Sequence, residues 1–137
     1  MKNFDLNKSL DELERNIEGN SQFDSALVQN VSRARKKLLK DLTTEDLRLL
    51  VGQQFSLDYV VPLALKVLEV NPFAEGDFYP GDLLMNLILI NKEYWRERPE
   101  LLQKFNQVLV KAKLDSGILD DEMMNKIILV SKDLDTI

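Results

Sequence analysis

The sequence predicts an all-α fold, a single compact bundle of about six to seven helices with two buried central helices, on three observations. Apolar residues recur at three- and four-residue steps along nearly the whole chain, the spacing that gathers them on one face of a helix. Nowhere does a period-two alternation run between hairpin turns, so sheet is at most minor. Helix-start residues stand ahead of most of the periodic runs. At 137 residues the chain falls in the range of one domain, expected to span 1–137, and it carries no internal repeat, low-complexity tract or long linker.

The elements follow in order. Ser9 and Glu12 have capping-box spacing, and Leu6, Leu10, Leu13 and Ile17 continue at helical steps until Gly19. Leu27, Val31, Ala34 and Leu38 form one face of a second helix. Its other face carries Arg33, Lys36, Lys37 and Lys40, a solvated stripe, since no aromatic platform or glycine-rich loop is interleaved with the charges. Thr43 is the expected N-cap of a third helix, with Glu45 and Asp46 in its first turn, Leu47, Leu50 and Val51 inward, and Gly52 at its end or at a close contact. "SLDYVVPLALKVLEV", from 56 to 70, is apolar around almost its whole circumference and is the best candidate for a central helix, with Pro62 near the first turn or at a kink. "YPGDLLMNLILI", from 79 to 90, is equally apolar; Pro80 suits the first helical position and Asp82 the first turn. Pro99 opens a helix striped by Leu101, Leu102, Phe105, Val108, Leu109 and Ala112. Asp120 caps a last one carrying Met123, Met124, Ile127, Val130 and Leu134, its methionines read as flexible core filling.

Composition excludes much chemistry. Apolar residues at 45% and charged residues at 30% describe an ordinary globular domain. Without cysteine there is no disulfide, thiolate metal site or cysteine nucleophile, and without histidine no Ser-His-Asp arrangement or His-rich metal site. Carboxylate-only chemistry stays open, as an acid pair or as a magnesium site with Asp77 and Asp82 among its ligands, but nothing positively signals either. The longest apolar run, "LLMNLILI", is far short of the ~20 residues that cross a bilayer, and "MKNFDLNKSL" lacks the apolar stretch of a signal peptide. A cytoplasmic location is expected.

The net charge of −5 is uneven: Arg33, Arg35, Lys36, Lys37 and Lys40 concentrate the cations, leaving about −10 on the rest of the chain. That sign repels nucleic acid and attracts basic partners.

"NPFAEGDFYPGDLL", residues 71 to 84, packs two prolines, two glycines, three aromatics and three acids into one segment. One reading is a rigid connector: Asn71 and Pro72 stop the central helix, Gly76 and Gly81 supply unusual backbone angles, Phe73 and Phe78 plug the core, and Pro80 restarts a helix. A phosphate cradle is excluded by the glycine spacing, the missing lysine and the carboxylates. A recognition loop is the other reading, because no lysine or arginine occurs from Val67 through Asn91. Glu69, Glu75, Asp77, Tyr79 and Asp82 are then the candidate binding residues for a cationic protein surface.

The stretch from 42 to 95 resembles the core of the immunity proteins of bacterial contact-dependent growth inhibition (CDI) systems. The resemblance is carried by "LRLLVGQ" at 47 to 53, "VPLAL" at 61 to 65, the whole of 71 to 84, and Trp95 soon after. It implies a small, non-enzymatic bacterial cytoplasmic protein without cofactor or metal. Such a protein binds and neutralises, one to one, the C-terminal toxin domain of a matching surface effector, commonly a nuclease such as an RNase or tRNase. It implies no direct contact with nucleic acid or membrane, and no catalytic residues to carry over. Physically, a nuclease must present a cationic cleft to phosphate, which an inhibitor can block with carboxylates. A motif shared by proteins that meet different toxins is more naturally scaffold, so Asp11, Glu12, Glu14 and Glu18, or Asp115, Asp120, Asp121 and Glu122, are rival surfaces. The alternatives are a carboxylate-based magnesium enzyme and an acidic helical adaptor for another cytoplasmic protein.

Overall fold

The computed structural model describes residues 4–14, 25–115 and 117–137. Among them are eight α-helices and no strand: α1 Leu10–Glu14, α2 Ala26–Lys36, α3 Thr44–Gly52, α4 Leu57–Val70, α5 Asp82–Leu87, α6 Lys92–Arg96, α7 Pro99–Leu114 and α8 Asp121–Leu134, with a 3-10 turn at Leu39–Asp41. An isolated antiparallel bridge joins Ser9 to Leu38.

The local start signals act as their chemistry dictates. Ser9 and Glu12 exchange side-chain to backbone hydrogen bonds ahead of α1. Thr43 and Asp46 form the reciprocal box at α3, and Ser25 and Asp120 cap α2 and α8. Each satisfies amides that the first helical turn leaves unpaired. Thr43→Ala should therefore lower unfolding free energy by about 1 kcal/mol in urea titrations; no measurable change would show that Asp46 alone secures the end.

Two buried helices form the centre, as their all-round apolarity predicts. The α4 helix packs on α3, α5 and α7, and buries Val60, Val61, Pro62, Ala64, Leu65 and Leu68. Pro62 lies in its second turn. In α5 every residue except Asn86 is buried. Leu47, Leu50 and Val51 of α3 face the same core, and Leu101, Phe105, Val108, Leu109 and Ala112 of α7 close its other side.

Several expectations need correction. The all-α bundle is as expected, and among the described residues the short α6, capped by Asn91 through the amide of Glu93, is an element the periodicity does not show. The α5 helix starts at Asp82 and stops at Leu87; Pro80 lies in the turn before it, and Gly81 takes the N-cap position at φ 90, where any side chain is strained. Because α2 ends at Lys36 and the chain tightens into the 3-10 turn, Leu39 fills the core in place of Leu38; Leu27, in the first turn of α2, is 45% exposed. The basic stripe is only partly solvated: Lys37 Nζ lies 2.7 Å from Asp46, and the neighbouring Arg35 reaches Asp11 at 3.0 Å and Glu14 at 2.8 Å. Phe73 plugs the core, but Phe78 is 66% exposed because the guanidinium of Arg48 lies 4.3 Å from its ring centroid on the outside of the fold. The expected continuation of the first helix through Ile17 to Gly19 lies outside the described residues.

Candidate functional site

The connection from Asn71 to Gly81 is built inward from two carboxylates. Asp82 is 1% exposed, and its side chain turns back over the connection. Gly76 N–H donates to its Oδ1 at 2.7 Å, and the Phe78 and Tyr79 amides donate to Oδ2 at 3.1 and 3.4 Å. Glu45, on α3, accepts the Asp77 amide at 2.9 Å and is itself held by Arg48 through two bonds of 2.6 and 2.7 Å. Gly76 fits between them because it has no Cβ: one placed there would stand 2.5 Å from Glu45 Oε1, 3.1 Å from Asp82 Oδ2 and 3.3 Å from the Glu45 backbone. The chain is thus fixed as a rigid, outward-facing connection.

These contacts carry a pH signature. The Arg48 hydrogen bonds, opposed by burial and helped by the Asp77 amide, hold Glu45 below its ordinary 4.5. At Asp46 burial is the largest influence and pushes upward, but hydrogen bonds from Lys37 and Thr43 outweigh it and bring the carboxyl below 3.8. Both groups bind protons less readily folded than unfolded. Their stabilisation is therefore complete above the ordinary carboxylate range and is lost as pH falls through the lowered folded values. Unfolding free energy should drop between about pH 5 and pH 3, and drop less steeply in Glu45→Gln; parallel pH profiles would contradict this assignment.

The sequence-derived candidates separate once their surroundings are known. Glu69, at the end of α4, stands 3.7 Å from Lys104, and its carbonyl accepts from Lys111 at 2.8 Å, so its charge is matched by α7. The carboxylate of Asp82 is enclosed by loop amides. Glu75, Asp77 and Tyr79 are exposed. Of the first rival group, Asp11 and Glu14 clamp Arg35, Glu14 also accepts from Ser56 at 2.6 Å, and Glu12 caps α1; Glu18 lies outside the described residues. Of the second, Asp115 ends α7, Asp120 spends one oxygen on the Met123 amide at 2.8 Å, and Asp121 and Glu122 face outward in the first turn of α8. Among the described residues Glu75, Asp77, Asp115, Asp120 and Asp121 make no ion pair, whereas Glu122 meets the exposed Lys126 at 3.4 Å.

The fold unites two groups that the sequence keeps apart. Since α4 and α7 pack side by side, the connection after α4 and the turn after α7 emerge at the same end of the molecule. Gly81 sits directly against α8, where an added Cβ would lie 3.0 Å from Met123 Cε and 3.8 Å from Leu119. Between them opens a surface cleft of about 400 Å³ lined by Tyr79, Pro80 and Met85 on one wall and by Ile118, Asp120, Glu122, Met123 and Lys126 on the other. Of its apolar lining, Tyr79 is 43% and Ile118 52% exposed. Glu45, Arg48 and Ile118 were not singled out for this region from the sequence. The three-residue spacing of Glu45 and Arg48 was visible, but their service to a loop some thirty residues away was not.

Among the described residues no group of three or more carboxylates is placed to hold a metal ion, and no helix is long and apolar enough to cross a membrane. Comparison with curated proteins and with solved structures gives no match. A family model described as CDI immunity proteins matches residues 11–105, from α1 through the first half of α7, including the whole Asn71–Gly81 connection and both carboxylates that organise it. That match spans more than half of the chain and contains its two central helices, and the protein belongs to the CDI immunity protein family.

Proposed function

We propose that this CDI immunity protein neutralises its cognate toxin domain by one-to-one binding in the bacterial cytoplasm, without catalysis or cofactor, and that the toxin is a basic nuclease. The observation that carries this reading is that the outward-facing Glu75, Asp77, Asp115, Asp120 and Asp121 make no ion pair among the described residues of a chain of net charge −5. A nuclease cleft must be cationic to hold phosphate, so a rigid acidic surface competes for it with no reaction of its own. Pre-organisation by Asp82 and Glu45 favours tight association, because little ordering remains to be done on binding. The magnesium-enzyme alternative lacks the converging carboxylates it needs among the described residues.

The test is a nucleic-acid cleavage assay with the toxin domain encoded beside this chain. Cleavage of RNA or DNA should disappear at one equivalent of the protein. Full cleavage at tenfold excess would contradict neutralisation by binding, and a toxin that cleaves neither nucleic acid would contradict its assignment as a nuclease.

A further inference from the structure

We propose that the toxin docks on the end of the molecule formed jointly by the Asn71–Gly81 connection and the α7–α8 turn, with a lysine or arginine of the toxin entering the cleft beside Tyr79. The inference rests on the immunity reading and names the surface through which it operates. Three observations converge on it.

First, Phe78 and Tyr79 stand exposed on backbone that Asp82 and Glu45 hold in place, and Ile118 adds apolar surface from the wall opposite Tyr79. Aromatic side chains on rigid supports are the usual anchors of protein interfaces. Second, the cleft sets apolar surface beside two carboxylates: Tyr79, Pro80, Met85 and Met123 can take the methylenes of a long cationic side chain and Asp120 and Glu122 can meet its charge, while Lys126, which also lines the cleft, is the cation it would displace from Glu122. Glu122 pairs with Lys126 only in an exposed 3.4 Å contact, the kind that contributes little and is readily exchanged for a partner's cation. Third, charge complementarity favours this end over its rivals. Glu75, Asp77, Asp120 and Asp121 make no ion pair here among the described residues, whereas Asp11 and Glu14 are matched by Arg35 and Glu69 by Lys104. The occupant is therefore a basic protein surface. One wall lies inside the segment shared with the family and the other, from Ile118 onward, lies beyond it.

Biolayer interferometry against the same toxin domain, with thermal melts to confirm folding, tests the assignment. Asp77→Lys combined with Glu122→Lys reverses two exposed charges and should raise Kd at least 100-fold. Tyr79→Ala should raise it at least tenfold. Glu97→Lys, beyond the opposite end of α7 and roughly 24 Å along the helix axis, should change it less than threefold. Wild-type binding that survives the double reversal and Tyr79→Ala overturns this surface while leaving the immunity reading in place. Absence of wild-type binding removes that reading for this toxin and the surface with it. Self-association of the chain that is abolished by Tyr79→Ala would also overturn the proposal, since a second copy would then be the occupant.

Discussion

Replacing Asp82 by alanine is expected to lower unfolding free energy by about 3 kcal/mol, since buried donors that lose a charged acceptor cost ~1–3 kcal/mol each and part of the loss is recovered by water. Three amides, those of Gly76, Phe78 and Tyr79, share this one carboxylate, and it is almost wholly enclosed. Asp82→Asn keeps one acceptor oxygen but turns an NH2 toward amides that themselves donate, so it should cost about half as much. Urea titration followed by the emission of Trp95, the chain's single tryptophan, measures both. The amide protons of Gly76 and Phe78 should exchange faster in both variants. A loss below about 0.5 kcal/mol for alanine would mean that Glu45 and the prolines hold the connection without it.

Trp95→Ala should be still more damaging, by about 4 kcal/mol, within the range for emptying a large aromatic site. Trp95 is 1% exposed and stacks on Phe105 of α7 at 4.3 Å between centroids and 12° between planes, while Tyr94 meets its edge at 5.4 Å. The Trp95–Phe105 stack ties the short α6 to α7, and α6 has too few residues to be stable by itself. Against a total stability of roughly 5–15 kcal/mol, the melting temperature by circular dichroism should fall by about 10–20 °C. Trp95→Phe keeps a stacked ring and should lose about a third as much. Near-equal losses for alanine and phenylalanine would show that the volume of the indole, and not stacking, is what the site needs.

What could be read from the sequence divides along chain distance. Thr43, Ser9 and Asp120 were legible as caps because a cap and its amide lie within three residues of each other. The central helices were legible because burial on all sides leaves no polar face. The fate of individual side chains in residues 71 to 84 was not. Whether Phe78 enters the core or lies under Arg48 depends on a contact thirty residues apart, and whether Glu69 is a free acid depends on lysines of α7. Asp82 was expected as a first-turn acid and does open α5, yet its carboxylate serves the amides that precede it. The α6 helix escaped notice because five residues make barely more than one turn and leave no periodicity to detect.

The same distinction explains the candidate surface. Residues 75 to 79 and 115 to 122 read as separate acidic patches, competitors for one interface. Only the side-by-side packing of α4 on α7 brings Tyr79 from the first and Ile118, Asp120 and Glu122 from the second to one cleft. The docking surface proposed above draws on both.

The most direct measurement of the central claim is a calorimetric titration of the purified protein against the toxin domain encoded beside it, at low and high salt. Acidic inhibition of a basic toxin predicts a stoichiometry of one, a Kd in the nanomolar range, and affinity that falls about tenfold or more as salt rises, because exposed charge pairs are screened beyond ~10 Å at 0.1 M. No binding, or binding indifferent to salt, would contradict it.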